Sequence, residues 1–432
     1  MPLNLSSRLA RIVFVGAILA VALPLAFFSL RAWLAHYWGS SPDPALWHRA
    51  ATLEPGDADY WSRLGLYKQW GMAQGGGPQA IGYLRHATEM NPRSAALWMD
   101  LADAYAGSGN VQEAQQAFER AQTDYPDSAE VGWRYGSFLL FQGDFRQGYS
   151  EIKRAVLVDP SLTASAIAEC WQASPDVDAL LNRALPAQSQ YYLTATDFFL
   201  SQNLLDPALA VWNRELALDM HVRMPQAIPL VNALIGQYRL AEAEQTWQQA
   251  LRASRWPRDT GDGSSLVFNG GFEHKIADGG FGWREIPADG VTYARDSNVS
   301  HSGSDSLRVD FGGKANLDFQ NVFEFVPVEP RTRYHFSAYV RTEGISTDHG
   351  IRFQILDPQH PSEVQVFTPN MIGTNPWTLV EADFTTGKNT QLLEIALCRI
   401  FTWKFDNKIR GTAWVDDVVL SPIQTQAKGR PR

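Results

Sequence analysis

Three prolines set the ruler for this chain. Pro92, Pro126 and Pro160 stand thirty-four residues apart. Between the first two, Trp98, Leu101, Ala102 and Tyr105 are followed by Gly109, Ala114, Phe118 and Ala121. The first four have the i, i+3, i+4, i+7 spacing of one helix face. Ala114, Phe118 and Ala121 mark a second such face, and Pro126 ends it, because proline lacks an N–H and clashes with the turn before it. Small Ala102, Ala114 and Ala121 let the two helices approach closely. A hairpin of this size cannot bury its apolar face alone, so it must stack on copies of itself.

The following unit has Tyr135, Gly136, Leu139, Gly143, Gly148, Ile152, Ala155 and Pro160. The preceding one has Trp61, Leu64, Gly65, Ala80, Leu84, Ala87 and Pro92, with a turn lengthened at Gly75-Gly76-Gly77-Pro78. Earlier still, Trp47, Ala50 and Pro55 match the end of a unit whose first helix is missing or merged with the N-terminal segment. Beyond Pro160 the pattern fades to Ala208, Trp212 and Leu216, then Gly236, Ala243, Trp247 and Ala250; residues 161–190 fit worst. The motifs W-x2-L-A-x2-Y and A-x3-F-x2-A-x4-P resemble the tetratricopeptide repeat. That resemblance implies a superhelix of five or six hairpins over residues 41–255, whose groove takes a protein or peptide. Within it Trp61, Gly65, Trp98, Leu101, Ala102, Tyr105, Ala114, Phe118, Ala121, Pro126 and Pro160 are expected to pack the repeats rather than touch a ligand.

The N-terminus sets the expected compartment. From Ile12 to Leu30 the chain carries no charge, with Arg8 and Arg11 before it and Arg31 after. At 1.5 Å per residue such a run spans close to the ~30 Å of a bilayer core. Trp33, Tyr37 and Trp38 follow where an interfacial aromatic belt sits. The rival is a cleaved signal peptide, but the run exceeds a signal core and continues past the small-x-small site at Ala20–Ala22. The expectation is a single-pass membrane protein with a cytoplasmic tip at 1–11, a span at 12–30 and the bulk periplasmic or extracellular, since two arginines precede the span. A net charge of −9 argues against a nucleic-acid partner. Two cysteines, Cys170 and Cys398, exclude a disulfide framework or a cysteine-based zinc site.

After a linker at 256–264, valine, phenylalanine, tyrosine and threonine alternate with polar residues between frequent turns, the pattern of an all-β sandwich. Its opening reads Leu266-Val267-Phe268-Asn269-Gly270-Gly271-Phe272-Glu273, and its close Ala413-Trp414-Val415-Asp416-Asp417-Val418-Val419-Leu420. With Gly282-Trp283, the stretch His301–Val309 and Pro376-Trp377, these resemble the jelly-roll carbohydrate-binding modules of the family four, nine and twenty-two group, over residues 265–422. The fold class is therefore α then β: a transmembrane helix, an all-α superhelix and a jelly-roll sandwich, with a disordered tail at 423–432. The resemblance implies a structural calcium between the first and last strands, held by Glu273 and Asp416 or Asp417. Two acidic strand ends brought together repel unless a hard cation or a basic side chain such as Lys275 or Arg410 joins them.

Strand parity selects candidate sugar contacts. If Tyr334, Phe336, Ala338 and Val340 face the core, then His335, Ser337, Tyr339 and Arg341 face outward. By the same rule Arg352, Gln354 and Glu394 point away from the core set Ile351, Phe353, Ile355, Leu393, Ile395 and Leu397. Rings that stack on a sugar and planar groups that bind its hydroxyls make His335, Tyr339, Arg341, Arg352, Gln354 and Glu394 the expected carbohydrate-binding set. A merely solvated sheet face is the alternative. Phe401, Trp403 and Phe405 continue the inward parity and are expected in the core, as is Trp283; Trp377 could serve either role.

No nucleophile elbow, zinc-protease motif or phosphate-binding loop occurs, so neither catalysis nor a catalytic cofactor is expected. The functional expectation is a membrane-anchored scaffold binding a protein through the repeats and a polysaccharide through the sandwich, in making or exporting a surface polysaccharide. Two alternatives stand beside it: an assembly factor whose jelly roll binds no sugar, and an envelope lyase or hydrolase.

Overall fold

The computed structural model describes residues 8–71, 76–219, 222–257, 265–405 and 407–423. Residues 1–7 of the expected tip, 72–75 including Gly75 of the lengthened turn, 258–264 of the linker and 424–432 of the tail lie outside the described residues. The chain divides into two compact units, Met1–Ala187 and Gln188–Arg432, so the division falls inside the expected helical array.

The first unit opens with one helix, α1 (Arg8–Gly39), of thirty-two residues. Its apolar stretch is followed without a break by a turn that belongs to the first repeat. Ala35 is fully buried with Ala50, Ala51, Tyr60 and Leu64. Arg31 Nε donates to Leu53 O at 2.8 Å and lies 3.0 Å from Glu54. The end of α1 thus pairs with α2 (Pro44–Leu53), so the first hairpin's missing helix is the C-terminal part of α1 itself. The array continues as α3 (Ala58–Trp70), α4 (Gly76–Met90), α5 (Ala95–Gly107), α6 (Val111–Asp124), α7 (Ala129–Phe141) and α8 (Phe145–Val158).

Local chemistry explains the repeat. Two residues after each repeat proline an oxygen side chain caps the next helix: Asp57 accepts from Asp59 N, Ser94 from Leu97 N, and Ser128 from Val131 N. Small residues sit where helices touch. A Cβ on Gly65 would meet Leu84 at 2.5 Å, and one on Gly136 would meet Ile152 at 2.9 Å. After Pro160 the capping position is Leu162, which makes no cap bond. There a 3₁₀ turn (Pro160–Leu162), α9 (Thr163–Ala173), α10 (Val177–Ala179) and a π turn (Leu180–Ala184) replace the regular hairpin.

The second unit begins with two hairpins, α11 (Ser189–Ser201) with α12 (Leu205–Ala217), and α13 (Met224–Gly236) with α14 (Leu240–Ala253). Their turns reproduce the earlier ones bond for bond. Leu204 N donates to Phe199 O and Arg239 N to Leu234 O, as Asn110 N does to Tyr105 O and Asp144 N to Leu139 O. The left-handed position held by Gly109 and Gly143 is here taken by Asn203 and Tyr238.

Among the described residues ten strands follow: β1 (Arg284–Glu285), β2 (Val291–Asp296), β3 (Ser306–Gly312), β4 (Phe319–Pro327), β5 (Arg333–Ile345), β6 (Arg352–Leu356), β7 (Gln365–Phe367), β8 (Gly373–Thr385), β9 (Leu392–Arg399) and β10 (Arg410–Pro422). They form two antiparallel sheets, ordered β1-β4-β9-β6-β7 and β2-β3-β10-β5-β8. Trp283, Phe272, Phe311, Phe336, Phe353, Ile395 and Leu420 pack between them in one core. The last helical hairpin docks on the segment that opens the sandwich: the Trp247 ring stands edge-on to Phe268 and Phe281 at 5.4 and 6.2 Å.

One core expectation is corrected. Phe401, Trp403 and Phe405 are exposed, the last two at 91% and 106%. β9 ends at Arg399, whose buried guanidinium occupies the inward register. It bonds His349 O, Asn316 Oδ1, Leu317 O and Asn407 O, so the chain leaves the sheet before the alternation can continue.

Candidate functional site

The six expected sugar contacts all face away from the core, but they lie on two different sheets. His335, Tyr339 and Arg341 stand on the outside of β5, in the β2-β3-β10-β5-β8 sheet, while Arg352, Gln354 and Glu394 stand on the outside of β6 and β9, in the other sheet. The core separates the two groups, so they cannot form one site. Parity fixes inward or outward; it is silent on which sheet a strand joins.

On the β5 side the polar groups are occupied with one another. His335 Nδ1 lies 2.7 Å from Asp383, and Arg333 pairs with the same carboxylate at 2.9 Å. These two partners hold the Asp383 carboxyl below the usual range, His335 more than Arg333. Arg341 and Arg308 cover the face of Trp414, whose Nε1 donates to Asp296 at 3.0 Å. Tyr339 stacks on His301 at 3.5 Å, with Trp377 edge-on to the same imidazole.

The other outer face is built differently. Register places Arg284, Phe323, Ala396, Gln354 and Phe367 directly opposite one another across β1, β4, β9, β6 and β7. The neighbouring row sets Phe325, Glu394 and Leu356 side by side, and Cys398 faces Arg352. Small Ala396 and Cys398 on the middle strand therefore lie between large side chains on β4 and β6. Neighbouring strands are about 4.8 Å apart, which puts those walls about 10 Å from each other. Ala396 and Cys398 are 1% and 0% exposed although they point away from the core, so the larger side chains beside them close over them.

The walls pair rings with guanidinium groups. Arg284 lies over Phe325 and Phe323 at 4.7 and 5.5 Å, and Arg352 over Phe367 at 5.4 Å. The Arg352 Nε is buried without a hydrogen-bond partner. Burial pushes the Glu394 carboxyl above its ordinary range, with Arg284 pulling the other way. Burial likewise lowers the Arg284 guanidinium, against the pull of Glu324, Asp278 and Glu394. The Cys398 thiol, pushed up to about 12 by burial, is no nucleophile.

Sequence reasoning missed Arg284, Phe323, Phe325 and Phe367. The first was within reach, since a residue next to core Trp283 in a strand must face out. The phenylalanines carry an apolar type on an outward position, which the alternation rule reads as a contradiction.

The acidic residues expected to hold calcium meet at one loop. Glu273 Oε1 accepts from Ser304 N and Asp305 N, and Asp416 Oδ2 from His301 N and Ser302 N. Asp417, with a left-handed φ of 49° at the β10 bulge, turns instead to His301 Nδ1 and Ser302 Oγ at 2.6 Å each. Among the described residues no three His, Cys, Asp or Glu side chains are placed to hold a metal ion. A cation at Glu273 and Asp416 would therefore need backbone oxygens to complete its shell.

In the first unit, a groove of about 550 Å³ runs over Trp98, Leu101, Tyr105 and Ala117, flanked by Arg85 and Arg120 and by Glu89 and Glu113. Trp98 and Tyr105 thus serve both sides: they pack against the repeat core and line this groove. Between α5 and α7, Arg134 is held by Asp100 at 3.0 Å and Asp103 at 2.5 Å.

Residues 264–399 match the model of a carbohydrate binding domain, and residues 72–132 match a tetratricopeptide repeat model. The repeats thus point to protein interaction and the C-terminal domain to carbohydrate binding. No curated protein matches the chain. Among solved structures, the enzymatically active domain of tailspike protein 4 from bacteriophage CBA120 is 16% identical, with a TM-score of 0.28 over 37% of this chain and 22% of that one. A family four carbohydrate-binding module is 15% identical, with a TM-score of 0.28 over 36% of this chain and 99% of the module. A tetratricopeptide repeat protein with an unusual peptide-binding site is 13% identical, with a TM-score of 0.25 over 49% of this chain and 93% of its own. The chain thus spans about a fifth of the tailspike domain.

Proposed function

We propose that this protein is a membrane-anchored, non-catalytic scaffold. Its repeats hold a protein partner and its sandwich holds a polysaccharide on the outer face of β4, β9 and β6, outside the cytoplasm, in the making or export of a surface polysaccharide. The observation that carries the sugar site is the pairing of rings with guanidinium groups on this face, Arg284 over Phe325 and Phe323 and Arg352 over Phe367. Such a face suits a sugar ring, with phenylalanines against its C–H faces and Arg284, Gln354 and Glu394 toward its hydroxyls. On the β5 face His335 and Arg333 are paired with Asp383.

Glu394 is the one carboxylate among the outward residues of β4, β6 and β9, whereas glycoside hydrolysis calls for a pair. The long apolar helix Arg8–Gly39 supports the anchor. Glu273 and Asp416 are the side chains that would hold a structural calcium, which would supply positive charge between two carboxylates.

Glycan-array binding by the full chain in nanodiscs tests this reading. Arg284→Ala and Glu394→Ala should each abolish binding, while Tyr339→Ala with Arg341→Ala should leave it intact. Absence of binding to any glycan would leave the protein-assembly reading in its place.

A further inference from the structure

The candidate sugar face is not built by the sandwich alone. Asn232, on α13, accepts through its Oδ1 from Gly280 N at 2.8 Å and from Arg284 Nη2 at 2.9 Å. The same Nη2 donates to Gly280 O at 2.7 Å, and Nη1 to Gly282 O at 3.3 Å. Of these acceptors the carbonyls belong to the loop that carries the arginine, and only Asn232 comes from outside it. The guanidinium so held is the one whose carbon lies over Phe325 and Phe323.

The approach of the helices is demanding. A Cβ on Gly280 would meet the Trp247 ring at 2.3 Å, and one on Gly279 would meet Ile228 at 2.4 Å. Both glycines also adopt positive φ, 61° and 152°, so this stretch accepts α13 and α14 only because it lacks side chains. Sequence and shape at the 279–284 turn are thus fitted to the last helical hairpin, and a bare sandwich would leave Arg284 with its loop carbonyls but without the Asn232 acceptor.

We propose that Asn232 is a positioning residue of the carbohydrate site, and that the hairpin α13–α14 is part of that site. It fixes Arg284 over the two phenylalanines in the orientation that meets a sugar. This rests on the sugar face assigned above, and its test separates the two ideas.

Full-length protein in nanodiscs, as wild type, Asn232→Ala and Asn232→Asp, is treated with phenylglyoxal, and modification of Arg284 is followed by peptide mass mapping. The same preparations are titrated with the glycan found on the array, or with xylohexaose and cellohexaose if none is found. Losing the acceptor should speed Arg284 modification and weaken glycan binding about tenfold, the worth of one hydrogen bond to a charged group. Asn232→Asp, which keeps an oxygen acceptor, should restore both. A loss that came only from damaged packing would not be rescued this way. Unchanged Arg284 reactivity in Asn232→Ala overturns the proposal whatever the glycan result. Raised reactivity with no glycan bound by the wild type upholds the positioning role and removes the sugar assignment instead.

Discussion

Trp98 donates its ring N–H to the carbonyl oxygen of Pro92 at 2.9 Å. Trp61 makes the same bond to Pro55 at 3.0 Å. The proline that ends one hairpin is thereby tied to the aromatic that opens the next, six residues on. The bond satisfies the proline carbonyl in the connecting turn and ties that turn to the start of the next hairpin.

Trp98→Phe keeps most of the ring and removes the donor. The expected cost is about 1 kcal/mol, the net worth of a neutral hydrogen bond. The midpoint of urea unfolding, followed by far-ultraviolet dichroism, should fall accordingly; an unchanged midpoint would mean that the bond contributes nothing.

Glu394 offers a pH signature. Its carboxyl is raised by burial, so the folded protein binds that proton more tightly than the unfolded chain. Stability from this group therefore grows as pH falls through the folded-state value and is complete below the ordinary 4.5. Glu394→Gln should raise the melting temperature at pH 7 and flatten the gain on acidification, while weakening glycan binding. A melting temperature that drops at pH 7 would show that the Arg284 attraction outweighs the burial cost.

Calcium, if it bridges Glu273 and Asp416, binds the folded state and must stabilise it. Chelator should lower the melting temperature and added calcium should restore it. Asp416→Asn should abolish the response, while Asp417→Asn, which loses only the His301 and Ser302 contacts, should retain it. A melting curve indifferent to chelator dismisses the site.

The regular part of the helical array was legible because several local rules coincide there. At Pro92 and Pro126 a helix stop, a serine cap two residues later and a left-handed glycine all keep one spacing. After Pro160 the backbone turn persists at Leu204 and Arg239 while its residues change to Asn203 and Tyr238, so the geometry outlives its signature. In the sandwich, alternation placed Phe336, Phe353 and Ile395 inward correctly. It could not say that His335 and Gln354 end on opposite sides, because sheet membership depends on pairings distant in the chain. Nor could it announce Asn232, a residue whose partners lie 48 and 52 positions away.

One uninterrupted helix runs from Arg8 into the first repeat, about 48 Å at 1.5 Å per residue. With Arg31 clasped to Leu53 and Glu54 just past the apolar stretch, there is no swivel at its upper end. Rolling the peg about its long axis must turn the first hairpins by the same angle, like a key in a lock, and whatever grips residues 12–30 would choose the compass bearing of the surface they present.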